Sequence, residues 1–208
     1  MPNPFAKIAF TESVKQAQEH YGTRRANERL ENLDRLNELT QNEAVFISER
    51  DGFYMATVNE EGHPYVQFRG GPKGFLKVLD ESTLGYADFR GNLQYISMGN
   101  LSKNNKAALF LMDYPNRTRL KIFARVEVIG AADDPALIER LTMPDYKASI
   151  ERALILHVTA YDWNCQQHIT PRFTLEDIEA GTKPLRDRIA ELEAEIAALK
   201  IAKTRRGV

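Results

Sequence analysis

Between Phe53 and Trp163 the chain sets one short β-rich run after another: FYMATV (53–58), HPYVQF (63–68), FLKVL (75–79), STLGYADF (82–89), AALFLMDY (107–114), RLKIFARVEVIG (119–130) and RALILHVTAYDW (152–163). Short polar joints such as NEEG (59–62) separate them. Parallel strands need crossovers of a dozen residues or more, usually helical. Here helices are expected at only two joints, LQYISMGNLSKNN (93–105) and DDPALIERL (133–141), the second with Pro135 near its first turn. The pattern predicts a mainly β chain with helices (α+β), its strands antiparallel in a barrel or sandwich.

Helical patterns flank this region. TESVKQAQEHYG opens with Thr11 as a cap and stops at Gly22, and RRANERLENLDRLNEL spaces Leu30, Leu33, Leu36 and Leu39 near a helical turn apart. At the other end, LRDRIAELEAEIAALK places Leu185, Ile189, Leu192, Ile196 and Leu199 at alternating spacings of four and three, a heptad seam of about two heptads. Such a helix either lies on its own domain or pairs between chains. The expected division is an N-terminal helical segment (1–42), a β-barrel domain (43–173) and a C-terminal helical extension (174–208).

Bulk properties narrow the function classes. The formal net charge of -1 argues against general nucleic-acid binding, which favours a basic excess. Cys165 is the only cysteine, so no disulfide can form within the chain. MPNPFAKIAFTESVKQ lacks the apolar core of a signal peptide, and no run approaches the roughly 18 apolar residues of a membrane span. A cytoplasmic protein acting away from membranes is expected.

Four stretches hold candidate chemistry. In PYVQFRGG a strand runs into Arg69, Gly70 and Gly71, glycines that pack nothing unless something approaches the backbone closely. The alternative is a bulged strand end. YADFRGNLQYISMGN gathers Asp88, Arg90, Asn92, Gln94, Ser97 and Asn100 around Gly91, a set of donors and acceptors suited to a ligand with a phosphate and a polar ring. A plain polar loop is the alternative. In NRTRLKIFARVEV, Arg117, Arg119, Lys121 and Arg125 fall on one strand face, either an anion site or a solvated edge. YDWNCQQHI holds Trp163, Cys165 and His168; no acid is placed to orient the histidine, and metal-ligand spacing is absent. Trp163 as a flat wall against a ring is the better use.

Taken in order, FISERDGFYMATVNEEGHPYVQFRGGPKGFLKVLD, GYADFRGNLQYISMGNL, LFLMDYPNRTRLKIFARVEV and DWNCQQHI closely resemble flavin-nucleotide-binding proteins of the pyridoxamine 5'-phosphate oxidase-like superfamily. The resemblance spans most of residues 11–173. It implies an FMN-binding split β-barrel acting as a homodimer, with FMN at the subunit interface. It further implies that Gln67, Phe68, Arg69 and Gly70 lie along the flavin, the glycines admitting its ring. Arg90, Asn92, Gln94 and Ser97 would hold the cofactor's tail, with Asp88 also in the cofactor site, Arg119 would stand near flavin N1, and Trp163, from the partner chain, would close the site. Leu93 and Phe68 replace an arginine and a histidine common in that subgroup. PRFTLEDIEAG lacks the Arg-x-His motif by which true vitamin B6 oxidases hold substrate phosphate.

The resemblance thus implies an FMN-dependent oxidoreductase acting on a small-molecule redox substrate, a reduced nicotinamide among the candidates, and not a true pyridoxamine phosphate oxidase. No residue is singled out as catalytic acid or base, and no metal site is expected. The rival readings are a flavin store or sensor, a haem-handling split barrel using His63, His157 or His168, and a dimeric scaffold whose terminal helix recruits a partner.

Overall fold

The computed structural model describes residues 3–33, 38–163 and 166–205. Leu36, Asn164 and Cys165 lie outside the described residues. Contacts divide the chain into two compact units, one of Met1–Asp113 and Arg117–His168, the other of Tyr114–Asn116 and Ile169–Val208.

The first unit opens, among the described residues, with four short helices: α1 (Pro4–Ala9), α2 (Glu12–His20), α3 (Arg24–Glu31) and α4 (Gln41–Ser48). Helix α1 starts at Pro4, where a missing N–H is harmless, and the Asn3 side chain accepts from the amides of Phe5 and Ala6. Helix α2 follows Thr11 as expected, and the chain turns at Gly22 with φ +70°. The continuous helix expected through Leu39 does not form: α3 ends at Glu31, with Leu30 and Leu33 exposed and Leu39 buried. Helix α4 begins with a capping box in which Thr40 and Glu43 bond each other's backbone.

Among the described residues seven strands follow: β1 (Gly52–Val58), β2 (Pro64–Gly70), β3 (Lys77–Asp80), β4 (Thr83–Phe89), β5 (Lys106–Asp113), β6 (Thr118–Gly130) and β7 (Ile150–Trp163). Each falls within a few residues of its sequence expectation. Helix α5 (Ile96–Lys103) joins β4 to β5, and α6 (Pro135–Leu141), capped by the Asp134 side chain, joins β6 to β7. All pairings are antiparallel, in one sheet of order β2-β1-β5-β6-β7-β4-β3.

The alternation of the strands fixes two faces. Phe53 and Met55 of β1, Leu109 and Leu111 of β5, Leu120, Ile122 and Ala124 of β6, and Leu154, Leu156 and Val158 of β7 form the buried inner face. The sheet rolls until its two ends meet through side chains. Phe53 of β1 stands edge-on to Tyr86 of β4 at 5.4 Å between centroids, and Tyr86 Oη lies 3.9 Å from Met55 Sδ. No ladder joins β2 to β4 in the described residues, so the sheet is an open, split barrel.

The outer face of β2, β1, β5 and β6 is apolar. Tyr54, Val66, Phe68, Phe110 and Phe123 stand there, with Phe5 of α1 stacked on Phe123 at 4.8 Å. Val66 and Phe68 keep 60% and 58% of their surface exposed, unusual for such side chains on a sheet face.

The second unit is dominated by α7 (Leu175–Arg205), a 31-residue helix with Pro184 inside it. Arg172 stacks over the Tyr114 ring at 5.0 Å. No helix among the described residues is long and apolar enough to cross a membrane.

Candidate functional site

The split between β2 and β4 forms a hollow lined by Tyr65, Gln67 and Arg69 of β2, Asp88 and Phe89 of β4, Gly91–Tyr95, the first turn of α5, and Glu151 of β7. Strand alternation turns Tyr65, Gln67 and Arg69 to this side together. Arg69 Nη1 donates to Asp88 Oδ1 at 2.6 Å and so bridges the split. Asp88 pairs across the ladder with Arg152, whose Nε lies 3.8 Å from Asp88 Oδ2. A bulge at Asp88/Phe89 leaves Glu151 as the extra residue of β7, so that two successive side chains serve one cluster. Glu151 bonds Arg152 Nη2 at 2.5 Å, accepts from Tyr95 Oη at 3.0 Å and lies 3.9 Å from Arg90 Nε.

Three guanidinium groups therefore face two carboxylates. Burial pushes the Asp88 carboxyl above its ordinary range, although Arg69 and Arg152 pull the other way. Arg69 Nε is buried without a hydrogen-bond partner. The N-cap residue of α5, Tyr95, is left-handed at φ 53° and supplies no side-chain cap, so the first-turn amides remain for an acceptor from outside. Ser97 Oγ donates to Gln67 Oε1 at 2.9 Å, and Asn100 donates to Thr57 at 3.0 Å; these bonds fix α5 against β2 and β1. An Asx turn from Asn92 to the Gln94 amide and a left-handed Leu93 (φ 63°) shape the lip.

The hollow thus gathers Gln67, Arg69, Asp88, Asn92, Gln94 and Ser97. Arg90 and Gly70 border an adjoining hollow that shares Gln67, Arg69 and Asp88. Of the expected residues, Arg119 and Trp163 line neither hollow, and Phe68 lines only the adjoining one. Phe68 borders the adjoining hollow, but its ring lies on the outer face against Tyr54, because alternation opposes it to its neighbours. Arg119 also lies outside, 5.4 Å over the Phe110 ring, with its Nε buried and unpartnered. Trp163 donates to Glu43 at 2.7 Å and stands edge-on to Phe46, tying β7 to α4. Of the basic stripe, Lys121 pairs with Asp162 at 3.0 Å and covers Phe5.

The glycines of the RGG turn have a use within the chain. A Cβ at Gly71 would stand 2.7 Å from the Phe75 ring and 3.0 Å from that of Phe89, and one at Gly70 would stand 2.9 Å from Phe68. They make room for the chain's own aromatic rings.

Arg152, Glu151, Tyr65 and Tyr95 were not singled out from sequence. RALILHV reads only as a buried strand, and the Asp88–Arg152 pairing depends on register between distant strands. None of His63, His157 and His168 lines either hollow. No cluster of metal-ligating side chains occurs among the described residues.

The sequence profile for pyridoxamine 5'-phosphate oxidase matches residues 39–164. No curated protein matches the chain. Among solved structures, HupZ of Group A Streptococcus is 15% identical, covering 65% of this chain and 99% of that one at a TM-score of 0.49. A candidate pyridoxamine 5'-phosphate oxidase of Lactobacillus delbrueckii is 25% identical over 61% of this chain and 95% of its own, at a TM-score of 0.47. An FMN-binding protein of Syntrophomonas wolfei is 11% identical, covering 74% of this chain and 97% of that one at a TM-score of 0.45.

Proposed function

The chain belongs to the pyridoxamine 5'-phosphate oxidase family, and from that premise we propose that it binds FMN in the split between β2 and β4 and works as a cytoplasmic flavin-dependent oxidoreductase. One observation carries the reading: an excess of guanidinium over carboxylate, with Arg69 Nε unbonded, beside an uncapped helix start. That donor set fits a phosphate monoester joined to a polar chain and ring.

In this reading Arg90, Arg152 and the first-turn amides of α5 offset the phosphate charge. Asn92, Gln94 and Ser97 complete its shell, and Gln67 and Arg69 donate to the polar edge of the cofactor. Asp88 holds Arg69 in place across the split. When bound, FMN would supply the redox chemistry, carrying a hydride equivalent from a small-molecule donor such as a reduced nicotinamide to oxygen or another acceptor. The fold supplies placement and charge.

A second copy would cover the apolar outer face, bringing Phe68 and Arg119 of two chains into one assembly. Residues 43–173 would then form the flavin-binding domain and 1–42 and 174–208 its helical additions. The absence of an Arg-x-His motif in PRFTLEDIEAG sets pyridoxamine phosphate aside as substrate.

The test is an absorption spectrum of the purified protein with and without FMN, followed by anaerobic addition of a reduced nicotinamide. A bound-flavin spectrum that bleaches supports both halves of the proposal. Binding without bleaching by any donor leaves a flavin carrier. No flavin spectrum after reconstitution overturns the site. Arg69→Ala should weaken binding by about 10- to 100-fold, as a lost hydrogen bond to a charged group is worth about 1.5–3 kcal/mol.

A further inference from the structure

We propose that α7 is an interface for a second copy of this chain, pairing with that copy's α7 in parallel and in register as a two-stranded coiled coil.

The seam is longer in the structure than the sequence segment suggested. Because α7 is one helix from Leu175 onward, Leu175 and Ile178 fall in phase with Leu185, Ile189, Leu192, Ile196 and Leu199, with Thr182 between them. The stripe runs over three heptads, the length at which a heptad pattern argues for a coiled coil. From Leu185 to Leu199 its members are all exposed, by 39% to 69%. Pro184 falls at position c, off the seam.

The residue types select the partner. In the last two heptads, which carry the preference, Ile189 and Ile196 occupy position a, and Leu185, Leu192 and Leu199 occupy d; Leu175 and Thr182 at a and Ile178 at d precede them. β-Branched residues at a with leucine at d favour two parallel strands. In that arrangement each g residue faces the e residue of the partner's next heptad. Arg188 at g then meets Glu193 at e, and Glu195 at g meets Lys200 at e, opposite charges in both cases. Arg188 also holds Glu191 of its own helix at 2.8 Å, on exposed side chains that can admit a second carboxylate. An in-register parallel pair has a two-fold axis and closes on two copies. No residue of the hollow takes part, so the inference stands apart from the flavin reading.

The experiment uses the full chain with Cys165→Ser, to which either Leu199→Cys at d or Ala194→Cys at f is added. At micromolar protein, oxidation should link two copies through Leu199→Cys at least about tenfold faster than through Ala194→Cys, because paired thiols share an effective concentration near millimolar. Equal rates, or no link at either position, overturn the proposal. Adding Arg188→Glu to the Leu199→Cys chain should slow linking by about threefold or more, and adding Glu193→Arg to that chain should restore it. Failure of the second change to restore linking overturns the parallel register.

Discussion

Gly70 and Gly71 are neighbours with the same sequence context, yet the structure separates them. The ring beside Gly70 is Phe68, which is 58% exposed and can swing away; the ring beside Gly71 is Phe75, which is 2% exposed and cannot. Gly70→Ala should therefore change stability by less than about 1 kcal/mol, and Gly71→Ala should cost about 1–3 kcal/mol by overpacking. Urea denaturation of the two variants checks the contrast. Glu43 makes a second residue-level prediction. Burial works against its charge, but bonds from Thr40 and Trp163 outweigh it and hold the carboxyl below its usual range. A carboxyl more acidic folded than unfolded contributes fully above its unfolded value and loses that contribution as pH falls through the folded one. Glu43→Gln should cost about 1–2 kcal/mol at neutral pH and blunt the acid loss of stability. Denaturation followed by Trp163 fluorescence at neutral pH and at about pH 3 measures both effects. Asp88 runs the opposite way: its raised folded value means that ionisation, as pH rises through that range, withdraws stability.

At the scale of elements, period and turn chemistry made the strands readable, since alternation is a local property. Two helices escaped. Helix α4 carries a capping box, Thr40 with Glu43, ahead of a short apolar run, but the β-rich texture after Ala44 masks it. Helix α1 starts at Asn3-Pro4, a readable cap and first-turn proline in a segment too short to show a period. The helix from Arg24 failed in the other direction, because leucine spacing says where a helix would be apolar and not where it stops. Pro184 lies inside α7, which runs through it. Proline in a helix interior removes a hydrogen bond and costs about 3 kcal/mol, so Pro184→Ala should raise helical ellipticity and thermal resistance in this segment. Circular dichroism on the full chain reads the change; an unaltered spectrum would mean that the helix is not limited there.

At the scale of the whole molecule, the apolar outer face of the sheet and the seam of α7 are separate surfaces, each proposed to meet a second copy. Val66→Lys alone should leave sedimentation at two copies, because α7 still joins them. Val66→Lys with Ile189→Lys and Ile196→Lys should yield one copy. A single copy with Val66→Lys alone would mean that α7 adds little. The sequence by itself determined the local matters: the succession of six or seven short strands, the helices α5 and α6 at two joints, the heptad spacing, and the ordered motifs of the family. These follow from side-chain period, turn residues and caps, which act over a few residues. Only the tertiary structure decided the sheet order, which face of β2 meets the split, and the cluster of Arg69, Asp88, Arg152 and Glu151. Those contacts join residues far apart in the chain, and they exist only because the sheet rolls until β2 stands against β4. Nothing in the neighbourhood of Arg152 marks it for the cluster; its place is set by strand register and by one bulge.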